Sequence, residues 1–238
     1  MVDMITKYIV TTNTDPYINL ATEQALFDQC ENDTLILYLW QNDNTIVIGR
    51  NQDPYLECRA DEFIADGGRI ARRRSGGGAV YHDLGNLNYS VICRAEYADK
   101  VSYQRLVASA MEYLGFQTEY NGRNDILIEN RKFSGNAVFN DGSICCQHGT
   151  LLVDCNISRM EHYLTPNNEK MERNHVRSVS SRVINLSEVK PGLTISEVIS
   201  AFIESNHAVE LTEKPNNDNV ERLYAEYSDK KWILGGTQ

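Results

Sequence analysis

Residues Asp125–Asp154 read DILIENRKFSGNAVFNDGSICCQHGTLLVD, and they decide the fold class. Two clusters of turn formers, Glu129-Asn130-Arg131 and Asn140-Asp141-Gly142, divide them into three strand-length segments. Strand alternation places Lys132, Ser134 and Asn136 on one side of the middle segment, and Asp125, Leu127 and Glu129 on one side of the segment before it. A face carrying Lys, Ser and Asn is either a solvated surface or the wall of a polar pocket. Gly135 in the same strand favours the pocket, because a residue without a side chain there marks close approach by a ligand or another backbone. In the third segment His148 and Thr150 share a face with Gly149 between them. Cys145 and Cys146 stand just before. A nucleophilic cysteine needs a neighbouring base or cation, and the local sequence supplies no such pairing.

Outward from this core the elements are mixed. KYIVTTN reads as an opening strand, and DPYINLATEQALFDQC as a helix capped by Asp15 with Pro16 in its first turn. TLILYLWQ and TIVIGRNQ, parted by Asn42-Asp43-Asn44, read as a hairpin. PYLECRADEFIAD reads as one helix ending at Gly67-Gly68, NLNYSVIC as a strand with Asn86, Asn88 and Ser90 on one face, and YQRLVASAMEYLG as a helix. SEVISAFIES and NVERLYAEYSDKKW are the last helices. Strands and helices without strict βαβ alternation predict an α+β fold with mixed, largely antiparallel sheets and flanking helices.

The second informative stretch is RIARRRSGGGAVYHD, Arg69–Asp83. A glycine run inside strand-like sequence sacrifices packing and backbone entropy, so something must approach that backbone. Consecutive glycines let N–H groups converge on an anion, and arginines supply charge-assisted bonds to phosphate or carboxylate. The alternative is a glycine bulge at a sheet edge with solvated arginines. Neither GxxxxGK[ST] nor GxGxxG occurs, so any nucleotide is held by another arrangement.

The 238 residues, 42% hydrophobic, suffice for one large domain, here 1–238. A net charge of -10 argues against a general nucleic-acid or membrane-surface binder. The first residues lack the pattern of a signal or transit peptide, which predicts a cytoplasmic protein. The six cysteines form no CxxC or zinc-type spacing and read as reduced thiols partly in the core.

In order along the chain, RRRSGGGAVYHDLGNLNYS, GRNDILIENRKFSGNAVF, QHGTLLVDCNISRMEHYLTP and SVSSRVINLSEV closely resemble the lipoate-protein ligase family. The likeness also takes in DPYINLATEQALF and YLWQNDNTIVIGRNQDPYLEC. It implies a fold shared with biotin protein ligases and distantly with class II aminoacyl-tRNA synthetases. It implies that lipoate and ATP, with Mg2+, give lipoyl-AMP, whose acyl group passes to a lysine of a lipoyl domain of a 2-oxoacid dehydrogenase E2 subunit or of glycine-cleavage H protein. By the same resemblance Lys132 is catalytic. Arg73, Ser75, Gly76, Gly77, Gly78, Ala79, Val80, Tyr81, Asp125, Lys132 and Ala137 bind ATP and lipoyl-AMP, Lys132, Gly77, His148 and Gly149 bind lipoate, and Asp125 holds Mg2+.

Two departures stand out. Many ligases of this family have two histidines before GTLL, whereas this chain has Gln147-His148. Bipartite members continue into a C-terminal accessory domain, whereas this sequence stops shortly after KKWILGG, which leaves two expectations, a natural short form that works with a separate accessory subunit or a fragment of a longer chain. The alternatives are a lipoyl or octanoyl transferase using a preformed donor, a noncatalytic binder of lipoate or acylated carriers, and a biotin ligase, which the absence of a GRGRxGR-type loop disfavours.

Overall fold

The computed structural model describes residues 4–99, 103–120, 125–165 and 183–235. Gly122–Asn124, Pro166 and Ser178–Arg182 of the family-like motifs lie outside them. The strands are β1 (Ile5–Val10), β2 (Thr34–Trp40), β3 (Thr45–Ile48), β4 (Arg69–Arg72), β5 (Val80–His82) and β6 (Asn86–Arg94). They continue with β7 (Glu119–Tyr120), β8 (Asp125–Ile128), β9 (Arg131–Asn140), β10 (Ile144–Leu152) and β11 (Val209–Glu210).

An eight-stranded sheet runs β11-β1-β2-β6-β10-β9-β8-β7, and a three-stranded sheet runs β4-β3-β5. Pairing is antiparallel from β2 through β7 and parallel on both sides of β1. The architecture is thus α+β with a mixed, largely antiparallel sheet. One face of the large sheet packs Leu37, Tyr89, Phe133 and Leu151 against the helices Tyr103–Tyr113 and Ile195–Ser205, which contribute Val107, Met111 and Phe202. The second of these starts at a capping box, Thr194 with Glu197, which satisfies backbone donors at its N-terminus. The other face packs Ile36, Tyr38, Trp40 and Ile92 against Pro16–Asp28 and Asn217–Ser228. Asp15 caps the former helix by accepting from Tyr17 and Ile18 N–H.

Four expectations fail, each for a physical reason. The helix over NVERLYAEYSDKKW is broken into Asn217–Ser228 and Lys230–Gly235, because Asp229 between them is extended. The hairpin does not form: β2 joins the large sheet and β3 the small one. Asn42 between them is buried, and its carboxamide bonds Asn19 and His82 instead of closing a two-strand turn. The helix over PYLECRADEFIAD is broken into Pro54–Glu57 and Ala60–Ala65, because Cys58 is extended and bridges Leu164. Finally, Lys132 and Ser134 do not share a face. The β8/β9 register steps from Ile126↔Ser134 to Leu127↔Lys132, so Phe133 is an extra residue in a β-bulge. The bulge shifts parity, and Lys132 joins the face of Gly135 while Ser134 turns with Ile126 toward the helix-covered core.

Among the described residues no helix is long and apolar enough to cross a membrane. All six cysteines are free and buried.

Candidate active site

A cavity of about 170 Å³ opens between the two sheets. Its floor is a row of paired residues across the large sheet, Trp40 on β2, Asn88 on β6, Thr150 on β10 and Gly135 on β9. Its roof is the segment from Gly77 to Val80, ending at His82 on β5. The row of Asn86, Asn88 and Ser90, read from the sequence as one polar face, is fully buried, with Asn88 in the cavity wall.

Lys132 lies over Gly135. A Cβ built on Gly135 would stand 2.6 Å from Lys132 Nζ, so this strand position must lack a side chain for the amine to occupy its place. Asp125 holds the amine from the other side at 2.7 Å. Gly77 has φ +92°, a left-handed conformation natural to glycine, and a Cβ there would meet Arg73 Nη2 at 3.0 Å and Ala137 Cβ at 3.8 Å. The loop therefore rests against β9 and closes the cavity near the lysine.

The arginines are not a solvated basic patch. Arg72 is wholly buried, and its guanidinium donates to the carbonyls of Gly49, Arg50, Gln52, Trp232 and Ile233. Arg73 donates through Nε to Ser75 Oγ at 3.0 Å, and through its Nη atoms to the carbonyls of Val47, Gly76 and Gly78. Four of its five N–H donors thus shape the loop, and one remains for a ligand. Burial pulls Arg73 down to about 10, against the opposing pull of the Glu23 carboxylate, so it stays charged at neutral pH. Arg74 pairs with Glu226 at 2.8 Å and lies over the Tyr227 ring, fastening the helix Asn217–Ser228 to the loop.

A hydrogen-bond chain joins loop to floor. Ser75 Oγ lies 2.6 Å from His148 Nε2, and His148 Nδ1 lies 2.8 Å from Glu23 Oε1. Trp40 Nε1–H donates to Ser90 Oγ, which donates to the same Glu23 oxygen. An arginine can only donate, so Ser75 Oγ accepts from Arg73 Nε. Burial raises the Glu23 carboxyl, but the charge and hydrogen bond of His148 and the Ser90 bond outweigh it and hold the group below its ordinary value. The order Ser75–His148–Glu23 has the connectivity of a hydrolytic triad. Ser75, however, is 1% exposed, does not line the main cavity, and already accepts from Arg73. Cys146, beside Glu23, is held well above the ordinary thiol value by burial and by that carboxylate, which leaves no thiolate for acyl transfer.

Of the residues singled out from sequence, Arg73, Gly77, Gly78, Ala79, Val80, Lys132, Ala137, His148 and Gly149 line the cavity. Asp125 adjoins it through Lys132, and Ser75 through His148. Gly76 contributes a carbonyl to Arg73. Tyr81 faces away: it packs in a separate core cluster, and its hydroxyl accepts from Arg159. The sequence reading missed Leu20, Trp40, Val47 and His82. Alternation along GAVYHD, which puts Val80 and His82 on one side of β5 and Tyr81 on the other, was the available signal for His82.

Fold and cavity together define an α+β domain with a mostly apolar cavity, a glycine loop over it and the Lys132 ammonium at its edge. Residues 15–206 match the lipoyl protein ligase A/B catalytic domain, and the chain belongs to that family. It is 38% identical over 204 residues to lipoate-protein ligase A of Blochmanniella pennsylvanica, a match covering 84% of this chain and 60% of that relative's length. Among solved structures it is similar to the bipartite lipoate protein ligase of Thermoplasma acidophilum, described with its E2 lipoyl domain (TM-score 0.82, 26% identity, 99% of this chain and 98% of that one). It is also similar to P. falciparum LipL1 in complex with lipoate (0.81, 27%, 98% and 75%) and to a lipoate-protein ligase A bound with ATP (0.80, 26%, 99% and 100%).

Proposed function

We propose that this chain is a lipoate-protein ligase acting as one catalytic unit. A lipoate carboxylate oxygen attacks the α-phosphorus of ATP and pyrophosphate leaves. The ε-amine of a lysine on a lipoyl domain, or on glycine-cleavage H protein, then attacks the acyl carbon of lipoyl-AMP, and AMP leaves. The observation that carries the reading is the placement of the Lys132 amine over Gly135, at the edge of a mostly apolar cavity roofed by Gly77 and Gly78. Both steps concentrate negative charge at a carboxyl-phosphate junction, and a fixed ammonium with backbone N–H groups in a water-poor cleft stabilises it. Support comes from the relatives described with ATP, with lipoate and with an E2 lipoyl domain.

Asp125 is a part-exposed carboxylate ion-paired with Lys132, which fits Mg2+ of the kind bound by one protein carboxylate with nucleotide phosphates and water. When bound, Mg2+ neutralises phosphate charge. The role of Asp125 in the chain itself is to orient Lys132. The setting we propose is the cytoplasm.

The test is incubation of the chain with lipoate, ATP, Mg2+ and an apo lipoyl domain, beside a reaction given lipoyl-AMP. Pyrophosphate release and an acceptor heavier by one lipoyl group are expected. Product from lipoyl-AMP alone would identify a transferase that needs an accessory subunit for activation, and product from neither donor would overturn the proposal. In the same assay Lys132→Ala is expected to slow both steps about a hundredfold or more.

A further inference from the structure

The segment after β3 carries two residues to which the reaction above gives no part, Gly49 and Gln52. Neither lines the cavity. Gly49 is buried, and a Cβ built on it would stand 2.4 Å from Gly77 O, 3.2 Å from Gly76 C and 3.3 Å from Gly76 O. The glycine loop that roofs the cavity is therefore seated directly on Gly49. The backbone at Gly49 lies outside the left-handed region. Contact, and not conformation, demands a glycine there.

The seat is fixed from three sides. β3, which leads into it, is buried along its length and paired with β4 and β5. Arg72 Nη1 donates to the carbonyls of Gly49, Arg50 and Gln52. Gly49 N–H donates to Gln52 Oε1 at 2.8 Å while Gln52 N–H donates to Gly49 O at 3.1 Å, so the carboxamide closes the turn on Gly49. Arg50 N–H ties this seat to the loop by donating to Ser75 O at 2.9 Å. The residues next in the loop, Gly76 to Gly78, are exposed and belong to no strand. A methyl group on Gly49 would lie about 1 Å inside ordinary contact with Gly77 O, and the loop, not the doubly paired strand, must yield. Gly77 and Gly78 line the cavity, and Arg73 Nη2 bonds the carbonyls on either side of Gly77, so a shift there reaches both the cavity wall and the guanidinium.

We infer that Gly49 and Gln52 are positioning residues for the glycine loop. Gly49 sets how closely Gly77 sits against the small sheet, and Gln52 fixes Gly49, so both govern the hold on lipoyl-AMP through Gly77 and Gly78 without touching it. The inference rests on the reading of that loop as the cover of the acyl-adenylate. Loss of loop register weakens the adenylate complex by about one hydrogen bond's worth, on the order of tenfold in affinity. The acceptor protein does not meet this seat, so its binding is unaffected.

The experiment is calorimetric titration of the parent, Gly49→Ala, Gln52→Leu and Gln52→Glu with lipoyl-AMP, together with steady-state transfer from lipoyl-AMP to an apo lipoyl domain. Gly49→Ala is expected to raise Kd and KM for lipoyl-AMP about tenfold or more and to leave KM for the acceptor unchanged. Gln52→Leu, which removes the acceptor of the Gly49 N–H, should raise Kd for lipoyl-AMP severalfold, roughly the weight of a lost hydrogen bond. Gln52→Glu keeps an acceptor oxygen at that place and should stay within about twofold of the parent. Parent-like Kd in Gly49→Ala, a matching rise in KM for the acceptor, or a Gln52→Glu variant as weak as Gln52→Leu would each defeat the inference. If Gly49→Ala does not fold, the two Gln52 variants decide, and an unchanged Kd in Gln52→Leu counts against it. A parent that does not bind lipoyl-AMP at all would overturn the functional reading itself, and this inference with it.

Discussion

Lys132 owes its position to the residue it does not touch in sequence alternation. The amine occupies the volume that a side chain at Gly135 would fill, and Asp125 closes the third side. In Gly135→Ala the new methyl would lie 2.6 Å from Nζ and 2.7 Å from Cε, atoms at the free end of a flexible chain. The backbone has no reason to move. The ammonium does, and a displacement of about 1 Å at a reacting centre costs on the order of a hundredfold in rate. Gly135→Ala is therefore expected to lower kcat/KM for acceptor lipoylation tenfold to a hundredfold with little change in Tm. Parent-level activity would mean that the amine reaches the junction from elsewhere. Lys132 and Gly135 were both legible as pocket residues from RKFSGNAV. Their sharing a face was not, because hydrophobic periodicity does not register a single inserted residue, and Phe133 in the bulge is as apolar as an ordinary core residue.

At the scale of elements, β4 shows why a run of three arginines misleads. Its charge suggested an anion site, yet Arg72 ties β4 to the 49–52 segment and to the helix Lys230–Gly235, some 160 residues away. The Trp232 indole N–H returns the link by donating to Arg72 O. No local pattern announces such carbonyl partners, whereas the strand and helix periods that set most elements are local and were read correctly, from the Asp15-capped helix to the three strands after Asp125. The hairpin was misread because Asn42-Asp43-Asn44 has turn chemistry, and only tertiary partners decide that Asn42 goes inside. Arg72→Met would leave buried carbonyls without donors and is expected to cost about 3–5 kcal/mol in urea unfolding. Arg72→Lys should recover little, since an ammonium cannot span carbonyls on both sides of a planar fork. Stability within 1 kcal/mol of the parent in Arg72→Met would show that water replaces the guanidinium.

For the whole molecule, the buried polar groups between the two sheets, His82 and Glu23 among them, couple stability to acid. His82 is pushed down from 6.5 to about 3, chiefly by burial. Above pH 6.5 neither the folded nor the unfolded chain protonates it. As the pH falls below 6.5 the unfolded chain takes up a proton that the folded chain refuses, so stability present above 6.5 is lost down to about pH 3, at about 1.4 kcal/mol per pH unit. Glu23, also held below its ordinary value of 4.5, contributes stability above that value and loses it only as the pH falls further through its lowered one. Between pH 6.5 and 5.0 His82 thus acts without Glu23. Urea unfolding at those two pH values should show the parent losing about 2 kcal/mol more than His82→Phe, with the variant's own lower stability cancelling in the difference. Equal losses in the two proteins would mean that His82 takes up its proton inside the fold.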